Sequence, residues 1–384
     1  MKILYIGNSS DFHIDLWVQY FTQNHDVFLF SEKEDYLSTK QFRDVEIIYS
    51  EGLFGHILNL FNSSSHKLFQ INKLLSTVIY ARKIDKIIKE KNIDIVHAHN
   101  LYQGFICSYL KSNVPVVFTP MGSDIIIHSQ SNYIYKYMAQ NAFKKADVVT
   151  GDSLLIQKKG YLVGAKSSKN YIIQNGVDSK KFYPKISKIR NALKIDDNEF
   201  LIFSPRGLDE IYNIKNILGV IKLLVEEDFK VKCMISYGFG ESNLNSLKEH
   251  IKYLEIEDSI IWIGNLEYDD MPDYFNASDL VISIPSSDSS PKTVYEAMFC
   301  EKVVIVSDLD WVYETLDGKD CIIKVNHNNL ENFKEAIIKI IRDKNSRKRI
   351  SENAREVATL FFDYYINMKK MESIMISEIK NYGS

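Results

Sequence analysis

Short aliphatic runs separated by helical patterns recur along the whole chain, and that alternation restricts the possible folds more than any other feature. Residues 2–6, 26–30, 45–49, 93–98, 114–119 and 148–151 read as one series of strands, and 200–204, 232–236, 260–263, 280–284, 303–307 and 321–325 as a second. Strands alternating with helices build doubly wound parallel sheets. The 384 residues suffice for two domains of ordinary size. The break is expected within YIIQNGVDSKKFYP, residues 171–184, where Asn175 and Gly176 favour a left-handed turn after a short strand and Pro184 closes an extended segment. The expected architecture is α/β, with Rossmann-like domains over 1–184 and 185–360. Residues 185–198 read as helical, and a C-terminal helix within 361–384 is expected to fold back on the first domain.

Ligands of such sheets bind at the carboxyl ends of strands, so polar clusters there are the candidate sites. The most informative is IPSSDSSPKTVYE, residues 284–296, a polar loop between a buried strand and an apolar helical pattern. Ser290 and Pro291 read as N-cap and first helical residue, leaving the backbone N–H groups of Lys292 and Thr293 to face a phosphate. Two acids flank this end. Asp288 lies in the loop, and Glu296 lies about 7.5 Å along the axis at roughly 1.5 Å per residue, near where the ribose of a bound diphosphate would sit. In PRGLDEIYNIKN, Arg206 and Lys215 read either as a fork and a point charge for a diphosphate or as two solvated cations. Gly238 and Gly240 allow close backbone approach, and Gly264 leaves room for a flat base.

The first half offers weaker clusters. The turn running from Gly7 through Ser9 and Ser10 to His13 has a lone glycine, too little to specify a phosphate loop. His97 and His99 of HAHN share one face of a strand beside Asn100, but no third metal ligand is evident, so hydrogen bonding or core packing is preferred. Asp124 of TPMGSD suits either a sugar hydroxyl or an Asx turn.

Cys107, Cys233, Cys300 and Cys321 are far apart without zinc spacing, and read as reduced core thiols of a cytosolic protein. No apolar run approaches about eighteen residues, and MKILYIGNSS enters a strand at once, so neither secretion nor a membrane span is expected. Residues 1–184 carry 21 Lys and Arg against 16 Asp and Glu, and the remainder 26 against 34. The basic half suits peripheral contact with an anionic membrane or acceptor, or is ordinary surface. The helical pattern 66–91, with Lys67, Lys73, Arg82, Lys83, Lys86 and Lys89, poses the same choice between a membrane surface and a sheet covering. No nucleic-acid partner is expected.

NGVDSKKFYP, the Arg206/Lys215 pair, IGNLEYDDMPDYFNASDLVISIPSSD and SDSSPKTVYEAM occur in an order that resembles the retaining, nucleotide-sugar-dependent glycosyltransferases of the GT-B fold, family four or glycosyl transferases group 1. The resemblance covers nearly the whole chain. It implies two Rossmann-like domains facing across a cleft, and a reaction between a nucleotide diphosphate sugar and a hydroxyl of a glycan or lipid-linked acceptor. Cell-surface polysaccharide or lipopolysaccharide synthesis, at the inner face of the membrane, is the setting it implies. In the family's E-x7-E motif, Glu296 would bind the donor ribose and Asp288 the donor sugar. Arg206 and Lys215 would neutralise the leaving diphosphate, Lys292 and Thr293 would offer backbone amides, and Asn265 would lie near the base. Gly7, Gly238, Gly264, Ser289, Ser290 and Pro291 complete the expected donor contacts. Ser9, Ser10, His13, His99, Asn100 and Asp124 form the expected acceptor contacts, and Asp124 joins Asp288, Glu296, Arg206 and Lys215 as the expected catalytic set.

Departures from the family pattern are specific. Asp288 is one methylene shorter than the usual Glu, Met121 stands where many members carry His, and Arg206 and Lys215 are nine apart rather than closer. Glu301 replaces a common Gly after the motif helix and is expected to be harmless. No D-x-D pair for a divalent ion is recognised, so the cations and the helix end are expected to take the metal's place, with no cofactor. Retention follows from the resemblance, with the leaving phosphate as the base. A sugar-nucleotide epimerase of the same architecture and a non-catalytic sugar-nucleotide-binding subunit are the alternatives.

Overall fold

The computed structural model describes residues 1–9, 12–31, 45–50, 66–122, 125, 133–238 and 240–382, with side chains at 12, 13, 66–75 and 167 excepted. Two compact units result: Met1–Asn175 together with Tyr365–Ser384, and Gly176–Tyr364. In the first, strands β1 (Lys2–Ile6), β2 (Asp26–Ser31), β3 (Glu46–Tyr49), β4 (Ile95–His99), β5 (Val116–Thr119), β6 (Val148–Gly151) and β7 (Asn170–Ile172) form one sheet. Its order is β3-β2-β1-β4-β5-β6-β7, every pair parallel. In the second, β8 (Phe200–Ser204), β9 (Val231–Ser236), β10 (Ile260–Gly264), β11 (Leu280–Ser283), β12 (Val303–Ser307) and β13 (Ile323–Val325) are ordered β10-β9-β8-β11-β12-β13, again parallel. Both sheets therefore reverse their strand order beside their first strand, as doubly wound folds do.

The aliphatic runs are explained by burial on both faces of the sheet. In the second unit Ile202, Ile282 and Ile305 enter one core with Leu218, Ile221 and Phe333. Their neighbours Leu201, Phe203, Val281, Val304 and Val306 enter the other, with Phe275 and Met298. A one-residue slip of any of these strands would exchange the two sets. In the first unit Leu4, Ile6, Val96, Ala98 and Phe118 share a core with the helix side chains Ile84, Phe105 and Phe143. Helix His66–Lys91 is present over the span read from sequence. Lys83 donates to the Tyr49 carbonyl at 2.5 Å and Lys86 lies 3.6 Å from Glu90. No helix among the described residues is long and apolar enough to cross a membrane.

Two local expectations need correction. Residues 185–198 form only one helical turn, Ile189–Ala192, because the Arg190 guanidinium donates to the carbonyls of Ala277, Asp196 and Glu199 and to Asp279, wrapping the segment around itself. Tyr364–Tyr382 is the C-terminal helix, and a separate helix, Lys344–Phe362, precedes it. They break at Asp363, which adopts an extended backbone and bridges Val177 in parallel. Glu301 has φ +57 at the end of helix Lys292–Phe299, where its amide donates to Met298 at 3.0 Å. A side chain in that left-handed conformation costs roughly 1 kcal/mol relative to Gly, so the replacement is not neutral.

The C-terminal helix is anchored on the first unit. Glu372 accepts from the Tyr20 hydroxyl at 3.2 Å and meets His25 at 2.6 Å, and Glu378 meets Lys169 at 2.6 Å. Met368, Met371 and Met375 are fully buried. The division between units falls after Asn175 rather than after Pro184, at Gly176, whose φ is +75. A Cβ there would stand 2.6 Å from Tyr364 Cα and 2.8 Å from its nitrogen, in the same stretch where Val177 and Tyr364 exchange a backbone hydrogen bond of 3.0 Å. Gly176→Ala is expected to destabilise the chain by about 2–4 kcal/mol, combining the left-handed backbone with a backbone clash. A urea midpoint equal to that of the wild type would refute this.

Candidate active site

The reversal of strand order between β8 and β11 sends the loops that follow them to opposite sides of the sheet, and the candidate residues stand at those two ends. Arg206 follows β8. Its Nη2 donates to Asp288 Oδ2 at 3.0 Å and its Nη1 to Thr293 Oγ1 at 3.2 Å, while the guanidinium carbon lies 4.9 Å from the Tyr212 ring centroid. Asp288 and Thr293 follow β11, so one side chain spans the switch point. Asn213, at φ +54 before helix Ile214–Glu226, closes the same loops by donating to the Ile284 carbonyl at 2.8 Å and to Ser286 Oγ at 2.9 Å. Lys215 is exposed on the first turn of that helix.

The motif helix begins differently from the sequence expectation. Pro291, with φ −74 and ψ 96, occupies the N-cap position, and no side chain caps the helix. Ser290 is therefore not the N-cap. Asp288 Oδ1 instead accepts from the amides of Ser289 at 2.8 Å and Ser290 at 3.3 Å, which holds the loop and leaves its other oxygen for Arg206.

Glu296 lies one turn beyond Lys292 with 3% of its side chain exposed. Burial is the largest influence on its carboxyl and pushes it up to about 7, while Lys292 at 4.0 Å, the Tyr268 hydroxyl, Arg206 and Lys181 pull the other way. The desolvation outweighs four favourable neighbours. Burial likewise lowers Lys292, with Lys181 adding to the depression and Glu296 opposing it. A carboxyl raised in the folded state adds stability below its unfolded value near 4.5, and that stability is lost as pH rises through about 7. The stability of the wild type relative to Glu296→Gln should therefore fall by about 3 kcal/mol between pH 5 and pH 8, at about 1.4 kcal/mol per unit. A flat difference in denaturation free energy would contradict the shift.

The other sequence-selected residues divide. A Cβ at Gly238 would come within 2.9 Å of Asn265 Oδ1, so the loops after β9 and β10 approach closely there. Gly264 has φ +80 and open space around its missing side chain. In the first unit, a Cβ at Gly7 would strike Ile14 Cδ1 at 2.1 Å, giving that glycine a packing role. Ser9 is buried, its amide donating to Ser31 Oγ at 3.2 Å. Asn100, at φ +68, accepts from the Tyr102 amide and caps helix Leu101–Cys107. His97 and His99 are fully buried among Tyr5 and Trp17; His97 pairs with Thr119 Oγ1 at 2.7 Å, and its basicity is held well below the ordinary value by burial and by His99. The core-packing reading of HAHN fits this environment. Ser10, Asp124 and the His13 side chain lie outside the described residues.

Three features escaped the sequence reading. Tyr268 and Lys181 both adjoin Glu296 and Lys292, although each lies within a stretch that carried the family resemblance. Asp308 and Asp310 do form a D-x-D after β12, where Asp308 accepts from the Tyr313 hydroxyl at 2.5 Å. No group of three metal-ligating side chains occurs among the described residues.

Comparison with known proteins agrees with this architecture. Residues 185–357 match the family model Glycosyl transferases group 1, and residues 2–153 match Glycosyl transferase 4-like. Taken together, the two matches span most of the chain, which belongs to the glycosyl transferases group 1 and is a glycosyltransferase of the GT-B fold. It is 20% identical over 283 residues, 72% of either chain, to N-acetyl-alpha-D-glucosaminyl L-malate synthase of Bacillus anthracis. It is 23% identical over 317 residues, 77% of this chain and 78% of the relative, to UDP-Gal:alpha-D-GlcNAc-diphosphoundecaprenol alpha-1,3-galactosyltransferase of Escherichia coli. Among solved structures, HepE of Anabaena in complex with UDP shares the fold with a TM-score of 0.77 at 18% identity, covering 98% of this chain and all of that one.

Proposed function

We propose that this glycosyltransferase moves a sugar from a nucleotide diphosphate sugar to a hydroxyl of a glycan or lipid-linked acceptor, with retention of anomeric configuration, in cell-surface polysaccharide or lipopolysaccharide synthesis. The observation that carries this reading is Arg206, which reaches Asp288 and Thr293 across the switch point at the start of the motif helix. The names of the Escherichia coli and Anabaena relatives, with their UDP-sugar donor and bound UDP, support a uridine nucleotide as the donor's leaving group.

In this mechanism the diphosphate takes Arg206, Lys215 and the backbone amides of Lys292 and Thr293, which stabilise the charge that develops as the sugar leaves. Glu296 accepts hydrogen bonds from the donor ribose. Asp288 keeps Arg206 aimed at the diphosphate, a duty its direct ion pair suggests more strongly than the donor-sugar contact the family implies. The bond from the anomeric carbon to the phosphate oxygen breaks and its electron pair stays on the phosphate. The acceptor oxygen bonds to the same face of that carbon, and its proton passes to a phosphate oxygen. These fixed cations need no metal or cofactor, and the acceptor binds the first unit, with Ser9, Ser10, His13, His99, Asn100 and Asp124 as the residues assigned to contact it.

A panel of nucleotide sugars with candidate acceptors, assayed for nucleotide release and glycoside formation, tests the reading. Arg206→Ala should lower kcat by roughly 10²–10³-fold, the size of losing one charge-stabilising group, and a chelator should leave the wild-type rate unchanged. Conversion of the nucleotide sugar without acceptor, or abolition by chelator, would contradict it.

A further inference from the structure

The carboxylate of Glu296 is met by a side chain that neither the motif nor the proposed chemistry includes. Tyr268 stands after β10, between Gly264 and helix Met271–Ala277, and its hydroxyl is hydrogen-bonded to Glu296. The ring is fixed from several sides. Lys181 Nζ lies 4.6 Å and Lys292 Nζ 4.5 Å from its centroid, and the Phe182 ring packs at 5.4 Å. Lys181 and Phe182 precede β8, Tyr268 follows β10, and Lys292 and Glu296 share the motif helix, so three separate segments meet at one phenol. Lys181 is in turn ion-paired to Asp269, the residue after Tyr268.

We propose that Tyr268 is a positioning residue for the donor: by donating its hydroxyl to Glu296 it fixes the direction of the carboxylate and, with Lys292, keeps it able to accept the ribose hydroxyls. The inference rests on the reading of Glu296 as the ribose contact. The physical need follows from burial. A carboxylate with so little exposure cannot be oriented by water, and in the absence of compensating donors it would take up a proton and lose one acceptor oxygen. The groups that act on it are Lys292 and Tyr268 at contact, Arg206 and Lys181 further off, and the thiol of Cys300 at the C-cap of the same helix. Of these, Tyr268 alone is a neutral donor held in place by two cations and an aromatic ring. Burial and the neighbouring Glu296 also push its own ionisation well up, so it remains a donor throughout the working range.

Tyr268→Phe keeps the ring on which both lysines rest and removes only the hydroxyl. The test measures denaturation free energy against pH for the wild type, Tyr268→Phe, Glu296→Gln and the double variant without ligand, and then UDP affinity by calorimetry at pH 7 and pH 8.5. Referenced to its Glu296→Gln partner, Tyr268→Phe should show a carboxyl midpoint higher by about one pH unit than the wild type. Its UDP affinity should be about fivefold weaker at pH 7 and return to within about twofold of the wild type at pH 8.5. A purely packing role predicts an equal loss at both pH values. An unmoved midpoint overturns the proposal even where UDP binds. If the midpoint moves while Glu296→Gln binds UDP as well as the wild type, or if the wild type does not bind UDP, the ribose reading of Glu296 is what fails.

Discussion

The second unit depends on the place where its sheet stops growing in one direction and starts in the other. β8 and β11 are neighbours, but β9 and β10 extend from one side and β12 and β13 from the other. The central strands β8, β11 and β12 are buried on both faces, which leaves the loop atoms at their carboxyl ends as the nearest polar groups a ligand can reach. Arg206 from one loop and Asp288 and Thr293 from the other meet there at hydrogen-bond distance. Aliphatic alternation in the sequence thus determines the sheet, the sheet determines the divergence of two loops, and the divergence creates a position that one guanidinium can bridge.

Glu296 shows the opposing demands of stability and function at that position. Folding places a carboxyl in a nearly dry site, where desolvation outweighs Lys292, Tyr268, Arg206 and Lys181. The arrangement is intelligible if the carboxylate is compensated by the hydroxyls of a bound ligand. The same logic covers Asp288, whose two oxygens are divided between two loop amides and one cation, leaving Arg206 directed but not neutralised by a second acid.

Much of the fold was legible because a buried parallel strand leaves a plain mark, a run of Val, Ile, Leu and Phe ended by a Gly or Ser turn. The spans of β1, β6, β8 and β12 were readable to the residue. What was not legible depended on long-range hydrogen bonds. Residues 185–198 have a helical composition, but Arg190 ties them to carbonyls at 277 and 199. The break at Asp363 arises from a bridge to Val177, a partner far away in sequence. At the site, the motif spacing located Asp288 and Glu296, yet the pairing of Asp288 with Arg206 and the approach of Tyr268 to Glu296 link segments whose separation has no periodic signature. His99 and Asn100 also have local structural duties that their position at a strand end did not reveal, since one is packed among aromatic rings and the other caps a helix.

The central claim is that the β8/β11 switch point holds a nucleoside diphosphate, and a crystal structure of the chain soaked with UDP tests it most directly. Diphosphate oxygens within hydrogen-bond distance of Arg206 and of the Lys292 or Thr293 amide, with the ribose hydroxyls on Glu296, are the predicted result. A nucleotide ordered elsewhere, with these side chains still engaged only with one another, would contradict the account.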